Sequence, residues 1–181
     1  MTLRPGLIAL ILLLALPAVA AGPGLPGVLA GVYKHRFANS DVQGEHYTSE
    51  DILEIVPVSA DAAYFRLHLE FFNGHECGLD GVARQAGESL VYDGPADIDG
   101  RPCRLTLARR ADGIHIFEDE NGACRSQSCG MRGGYGYRSD NPADFTAAQR
   151  RTIRYLPRLL ASEEYKSALA AYRARQPARS R

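Results

Sequence analysis

The sequence has no apolar run long enough to cross a bilayer. Its longest run, residues 7–16, is far shorter than a membrane-spanning helix, which needs about 20 apolar residues. Arg4 precedes this run and Ala18-Val19-Ala20 follows it, which is the order of a secretory signal peptide. No cysteine follows the small residues, so we do not expect a lipid anchor. We expect residues 1–21 to be a signal peptide cleaved near Ala20 or Ala21, and the product to be periplasmic or secreted.

The sequence also lacks the signatures of familiar enzyme classes. It contains no Gly-x-Ser-x-Gly, no His-Glu-x-x-His and no phosphate loop ending in Gly-Lys-Ser/Thr. Its carboxylates are scattered through turns, where Asp stabilises the turn backbone. His75 and Cys77 are close in sequence, but a zinc site uses several Cys and His ligands and the cysteines are better used in disulfides. We expect a non-enzyme without a cofactor or a metal site.

Cysteine is scarce, and Cys77, Cys103, Cys124 and Cys129 are the whole complement. An exported chain meets an oxidising compartment, so two disulfides are expected. Four cysteines allow three connectivities, among which the sequence does not decide. We favour Cys77 with Cys103, which can join neighbouring strands, and Cys124 with Cys129, which closes a short loop.

About 160 residues remain after cleavage, which is the size of one domain. Residues 22–28 are rich in Gly and Pro and predict a flexible leader. Residues 29–140 contain short alternating segments about every ten residues, separated by turn signals, as in antiparallel β domains. One segment has four apolar side chains on a single face: Phe65, Leu67, Leu69 and Phe71. The expected fold is mainly β, a small antiparallel barrel or sandwich of about eight strands, and a barrel is favoured because closure removes exposed edges.

The pattern becomes helical over residues 141–175, and residues 176–181 form a basic tail that we expect to be disordered. Thr146 and Gln149 have the spacing of a capping box, which predicts a helix starting after Thr146 and ended by Pro157. A second amphipathic helix is expected beyond Pro157. Its apolar stripe is Leu160, Tyr165, Leu169 and Tyr172.

The formal net charge is zero, but the charge is unevenly distributed. Residues 21–140 contain 11 Lys/Arg against 18 Asp/Glu, a net charge of −7, whereas residues 141–181 contain 9 against 3, a net charge of +6. An acidic domain could bind a cationic partner and a basic tail could contact an anionic surface. The alternative is a merely solvated surface.

The segment from Cys124 to Tyr137 combines arginine and tyrosine on a glycine-rich backbone. Interface hot spots are enriched in these two residue types, and a constrained loop loses less entropy on binding. The candidate binding residues are Arg125, Arg132, Tyr135 and Tyr137. Alternatively, the segment is a last barrel strand whose glycines permit curvature and whose tyrosines pack. Nucleic acid is not an expected partner, because the domain is acidic and exported.

Short motifs along residues 29–137 carry a family resemblance. They are Gly31-x-Tyr33, Asn73-Gly74-His75-Glu76-Cys77 with Gly81-x-Ala83, Cys103-x-Leu105-x-Leu107, and Cys124-x4-Cys129-Gly130-x-Arg132-Gly133. The chain resembles uncharacterised secreted proteobacterial small β-barrel proteins, some of which are similar to LprI-type lysozyme-inhibitor proteins. The cysteine-rich helical segment of the LprI type is absent, so no inhibitory residue is carried over. The resemblance implies an envelope location and a protein partner.

The expected function is therefore non-enzymatic binding outside the cytoplasm, with a cationic protein such as a lysozyme as the partner. One alternative is a structural or stress-related envelope module whose basic C-terminal helices contact anionic lipid. Another is an envelope hydrolase that uses the scattered carboxylates.

Overall fold

The computed structural model describes residues 23–130, 133–136 and 143–176. Within these residues nine strands form one antiparallel sheet. The strands are β1 (Gly31–Ser40), β2 (His46–Pro57), β3 (Ala62–Glu70), β4 (Glu76–Ala86), β5 (Ser89–Ala96), β6 (Pro102–Arg109), β7 (Gly113–Glu118), β8 (Ala143–Thr146) and β9 (Arg150–Arg151). The α-helices are α1 (Leu25–Leu29), α2 (Ala123–Ser128), α3 (Leu156–Leu160) and α4 (Glu163–Ala174).

The sheet curls into a nearly closed barrel because one segment reaches both of its edges. Strands β1 to β8 pair consecutively as a meander, and β9 returns to pair with β1, with Val32 opposite Arg151 and Tyr33 opposite Arg150. Only a short 3-10 helix, Ala147–Gln149, separates β8 from β9. The predicted mainly β fold is confirmed, and the choice between barrel and sandwich is settled in favour of the barrel.

The prediction of an α-helix after Thr146 is wrong, because residues 147–149 form only a 3-10 turn. The capping box that suggested it does form, with the Thr146 N–H donating to Gln149 Oε1 at 2.7 Å. The helix stops after one turn because Arg150 and Arg151 pair with β1 instead. A local start signal is therefore overridden by a long-range strand pairing.

Alternation along the strands separates two hydrophobic cores. On β2, Leu53 and Ile55 point into the barrel, whereas Val56 packs on the outer face. The four apolar side chains predicted to share one face of β3 and its extension all lie in the inner core, together with others: Phe65, Leu67, Leu69, Phe71, Leu90, Leu105, Leu107, Ile114, Ile116 and Phe145. Each of these large side chains contributes about 1.5–3 kcal/mol when it is fully buried.

The two ends of the barrel are covered differently. We call the end with the β1–β2, β3–β4 and β5–β6 hairpin turns the upper end, and the opposite end the lower end. Helix α2 follows β7 at the upper end, and its Ala123 and Cys124 are buried in the inner core. Helix α1 lies at the lower end, where Leu25 and Leu29 are buried and the Leu25 N–H donates to Gln85 Oε1 at 3.1 Å.

The predicted leader therefore contains a helix. Pro26 is compatible with helix α1 because it lies in the first turn, where its missing N–H would be unpaired in any case. Leu25 and Leu29 stabilise this short helix by packing into the end of the barrel. Burial of two leucines outweighs the low helix propensity of the flanking glycines.

Two disulfides join α2 to the barrel, but not in the predicted pairing. Cys77 bonds Cys129 and Cys103 bonds Cys124, with Cα–Cα distances of 4.0 and 4.5 Å. Cys124 lies in α2 and Cys129 caps it. Side chains five residues apart on a helix point roughly 140° away from each other, so these two cysteines reach different strands rather than one another.

The C-terminal helices pack on the outer face of β2, β3 and β4. Ser162 caps α4 by accepting a hydrogen bond from the Tyr165 N–H at 3.2 Å. The outer core that they form with the barrel comprises Val32, Val56, Ala62, Tyr64, Val82, Ile153, Leu159 and Ala168, with Tyr165, Leu169 and Tyr172 packed against it. Two details differ from expectation: Pro157 lies in the first turn of α3 rather than between helices, and Leu160 is exposed. Among the described residues, no helix has the length and apolar character to span a membrane.

Candidate functional site

Tyr135 was expected on a binding surface, but it is completely buried. Its side chain belongs to the inner core, and its hydroxyl shares a hydrogen bond of 2.6 Å with Ser128 Oγ. Burial raises the pKa of the Tyr135 hydroxyl, so the group stays neutral and protonated. Tyr135 is therefore a packing residue, which was the alternative interpretation of this segment.

Of the other three residues of the predicted site, the structure describes Arg125. Arg125 is half exposed on α2, with its Nε 4.0 Å from Glu118 Oε1. Arg132 and Tyr137 lie outside the described residues. The strand predicted around Tyr135 is not formed by residues 133–136. Of the four predicted binding residues, Arg125 is therefore the one that the structure places on the described surface.

Glycine explains why this segment passes so close to a disulfide. A Cβ atom placed on Gly133 would lie 2.5 Å from Cys77 Sγ and 3.1 Å from Cys129 Cβ. Residues 133–136 thus lie against the Cys77–Cys129 bridge, and the Tyr135 carbonyl accepts a hydrogen bond from the Glu118 N–H at 3.1 Å. Gly133 therefore allows the close approach of this segment to the disulfide.

The surface feature that stands out is the set of hairpin tips at the upper end. Val42, Phe72 and Ile98 lie in the β1–β2, β3–β4 and β5–β6 connections, with 61%, 40% and 102% of their surface exposed. We call these three residues and the turns that carry them the upper rim. Two further large hydrophobic residues are exposed in the part of the chain that the structure describes: Tyr47 stands at the start of β2, next to these turns, and Leu160 lies on α3, away from them. Three such side chains at one end of the barrel make this end the candidate interaction surface.

The first two tips of the upper rim are tied to each other. The Val42 N–H donates to Asn73 Oδ1 at 3.3 Å, and the Gly74 N–H donates to the Tyr47 hydroxyl at 2.9 Å. Asn73 has a left-handed backbone with φ of 59°, a conformation that asparagine tolerates better than most residues. These contacts hold Val42 and Phe72 on neighbouring turns.

The third tip is fixed to α2 through Asp97. One carboxylate oxygen of Asp97 accepts hydrogen bonds from the Asp99 and Arg101 N–H groups at 3.0 and 2.9 Å. The other accepts from Arg101 Nε at 2.8 Å and from Ser126 Oγ at 3.1 Å. Desolvation raises the pKa of the Asp97 carboxyl, but the hydrogen bonds from Arg101 and Ser126 outweigh it and hold the pKa below its usual value. The turn that presents Ile98 is therefore anchored to a disulfide-bonded helix.

Carboxylates surround the apolar tips. The exposed or half-exposed acidic side chains in or beside the turns of this end include Asp41, Glu45, Glu70, Glu76, Asp99, Asp119 and Glu120. Arg101 Nη2 lies 2.6 Å from Asp97 and 3.1 Å from Asp99, so Arg101 offsets part of this charge, and the remaining carboxylates keep the end acidic. The upper rim thus combines exposed apolar tips with negative charge.

The sequence did not lead us to predict the apolar residues of the upper rim, although two of them stand in recognisable turn sequences. Val42 and Ile98 stand within turn sequences, Asp41-Val42-Gln43-Gly44 and Asp97-Ile98-Asp99-Gly100. An apolar residue in the middle of a tight surface turn has little chance to be buried. Attention to such residues would have located two of the three tips.

The buried and clustered ionisable groups elsewhere serve the fold. Glu118 is buried and accepts a hydrogen bond from the Arg125 N–H at 2.9 Å, so it caps the start of α2. His68 lies on the outer face with Glu70 and Glu76 at 3.6 and 3.9 Å. Over the part of the chain that the structure describes, no group of three or more His, Cys, Asp or Glu side chains is placed to hold a metal ion.

The description of the fold and of the upper rim comes from the residues of this chain alone. No family model, no curated protein and no solved structure matches the chain.

Proposed function

We propose that the protein is an exported, non-enzymatic binding protein that recognises a cationic protein through its upper rim. The observation that carries this proposal is the placement of Val42, Phe72 and Ile98 at one end, among carboxylates. Apolar contacts at the centre of an interface supply most of the binding energy, and surrounding charges steer the encounter. Both elements are present on the same end of the barrel.

The rigidity of this end supports a role in binding. Two disulfides, the Asp97 hydrogen bonds and the link between Tyr47 and Gly74 fix the turns of the upper rim before any partner arrives. A preformed surface loses little conformational entropy on association.

The two disulfides indicate an oxidising, exported compartment. Within that frame we propose that residues 1–21 are removed as a signal peptide and that the mature protein resides in the periplasm or is secreted. The first partner to test is a c-type lysozyme, because it is a cationic protein encountered at the cell envelope and because of the family resemblance described above.

The lipid-binding alternative has less support. Helix α4 buries its apolar residues Tyr165, Leu169 and Tyr172 against the barrel, so its apolar face is already occupied. A helix in that position can offer only its charged outer face to a membrane, and stable anchoring needs buried apolar area as well.

The test is a titration of the oxidised protein with a c-type lysozyme at low and at physiological salt, with lysozyme activity measured on the same samples. We expect binding that weakens with salt, because exposed charges are screened within about 8–10 Å at physiological ionic strength. We expect Ile98→Ser to weaken binding by about tenfold, the loss typical of a hot-spot residue.

Leu160→Ser is the matched control, since Leu160 is an exposed leucine away from the upper rim. It should bind like the wild type. Failure to bind at either salt concentration would remove lysozyme as the partner, and equal losses in the Ile98 and Leu160 variants would remove the upper rim as the surface.

A further inference from the structure

The lower end of the barrel contains a pocket of about 460 Å³. It opens between α1, the start of β1, the β6–β7 turn and the segment that leads into β9. The lining residues that matter are Leu29, Tyr33, Arg109, Arg110, Ile114 and Arg150. Ligand pockets of small barrels commonly lie at such a mouth, and their volumes are of this size.

The floor of the pocket is apolar. Leu29, Tyr33 and Ile114 belong to the inner core, so the pocket leads from the surface directly onto the side chains that fill the barrel. The Tyr33 hydroxyl donates to the Leu29 carbonyl at 2.9 Å, so its hydrogen-bond donor is already satisfied within the protein. A hydrocarbon group would replace water on this floor favourably.

The mouth of the pocket is positively charged. Arg109 ends β6, Arg110 follows it, and Arg150 comes from β9. Arg150 Nε donates to the Ala30 carbonyl at 2.7 Å, which holds its guanidinium at the mouth. Within the described residues no side-chain partner engages Arg110, which leaves that guanidinium available.

Glu88 is the acidic residue of the lining and does not neutralise this charge. It lies 3.4 Å from Arg109, and since Glu88 is largely exposed and Arg109 is half exposed, solvent screening makes the pair weak. The mouth therefore keeps an excess of positive charge. Guanidinium groups match carboxylate and phosphate oxygens with paired hydrogen bonds.

We infer that this pocket binds a small amphiphile, with its anionic head on Arg109, Arg110 and Arg150 and its apolar group on the floor. The head is a carboxylate or a phosphate, since both present the oxygens that arginine pairs with. The site lies at the end of the barrel opposite the upper rim, so it is independent of the proposed protein partner.

The experiment is calorimetric titration of the full oxidised protein with octanoate, octyl phosphate and octanol. We expect octanoate or octyl phosphate to bind at least about tenfold more tightly than octanol, the effect of a few charge-assisted hydrogen bonds. The tighter of the two anions identifies the head group. Equal binding of octanol would overturn the role of the arginines, and binding of none of the three would overturn the site.

Variants locate the binding. Arg110→Gln removes a charge from the mouth and should weaken octanoate binding about tenfold, whereas Arg154→Gln, an exposed arginine outside the lining, should leave it unchanged. Ala147→Phe fills the mouth from the exposed 3-10 turn and should abolish binding. Circular dichroism confirms that each variant is folded. Binding that survives both Arg110→Gln and Ala147→Phe would show that the anion binds elsewhere and overturn the inference.

Discussion

Arg66 Nε lies 2.5 Å from Glu54 Oε2 on the outer face of the barrel, where Glu54 is almost completely buried. The Tyr155 hydroxyl donates to the other carboxylate oxygen of Glu54. A charge on the outer face of a strand is normally solvated, but here the C-terminal segment covers it. The hydrogen bond from Tyr155 to Glu54 therefore joins the C-terminal segment to the barrel within an apolar interface, and Arg66 compensates the buried charge of Glu54.

Replacing Glu54 with glutamine should lower the free energy of unfolding by about 1.5–3 kcal/mol, because it weakens two hydrogen bonds that involve a charged group. The measurement is urea denaturation monitored by circular dichroism. Glu163→Gln is the control, since Glu163 pairs with Lys166 on the exposed face of α4. That change should stay within about 0.5 kcal/mol of the wild type. An unchanged denaturation midpoint for the Glu54 variant would show that the hydrogen bonds of Glu54 do not stabilise the packing of the C-terminal segment on the barrel.

Stability should fall at alkaline pH because of Tyr155. Burial and the hydrogen bond to Glu54 raise the pKa of this hydroxyl from 10.0 to about 12. The folded state therefore holds the proton more tightly than the unfolded state, so the contribution is complete below pH 10.0 and is lost as the pH rises towards 12. Chemical denaturation across this range should show the decline. Tyr155→Phe should lower the free energy of unfolding near neutral pH and make its decline at alkaline pH less steep. An equally steep decline in the variant would show that other tyrosines cause the loss of stability.

The turn that carries Ile98 should lose stability at acidic pH. Since the pKa of Asp97 is held below its usual value of 3.8, its contribution is present above that pH and is lost as the pH falls through the lower value of the folded state. Asp97→Asn should remove this acid dependence. Hydrogen exchange of the Asp99 and Arg101 amides, which donate to Asp97, is the local measurement. Exchange rates equal to wild type in the variant would contradict the anchoring role.

The two disulfides should differ in their effects on stability. Cys77–Cys129 joins residues 52 apart and Cys103–Cys124 joins residues 21 apart. Removal of either by paired Cys→Ser changes should cost about 2–5 kcal/mol, and the longer loop should cost on the order of 1 kcal/mol more if loop entropy dominates. Denaturation of the two double variants tests this ranking. Peptide mapping of the non-reduced protein tests the connectivity, and a Cys124–Cys129 peptide would refute it.

Gly133→Ala should destabilise the protein by about 1–3 kcal/mol, because its Cβ would meet Cys77 Sγ at 2.5 Å. Gly78→Ala is the matched control on the neighbouring strand β4, since nothing lies within 4 Å of a Cβ at that position. Alanine there should be neutral or slightly stabilising. Equal stability of the two variants would show that the segment from residue 133 to 136 can move away from the disulfide.

Side-chain alternation made the barrel predictable, whereas long-range pairing made other features unpredictable. Phe65, Leu67 and Leu69 identify an inward face because a strand places every second residue on the same side. The disulfide pairing depended on whether Cys124 stands in a loop or in a helix, and that short helix has no strong local signal. Likewise, the 3-10 turn after Thr146 gives way to β9 only because β1 lies within reach, which is a property of the closed barrel.

Tyr135 shows a similar limit for the candidate site. A glycine-rich stretch with tyrosine and arginine is compatible with an exposed loop and with a packed segment, because composition does not report which residues find space inside. The upper rim was identified from the structure, because its apolar side chains are exposed rather than buried.

The return of β9 to β1 also determines the order in which the molecule can fold. Strands β1 to β7 pair with their neighbours across short turns, whereas Val32 can pair with Arg151 only after most of the chain has folded. Closing so long a loop costs chain entropy that local hairpins do not pay, so the ring forms late. Until Arg150 and Arg151 dock, β1 keeps one unpaired edge that other chains can join. The open ring, with β1 formed and β9 not yet docked, is therefore the species of this protein most prone to edge-to-edge aggregation.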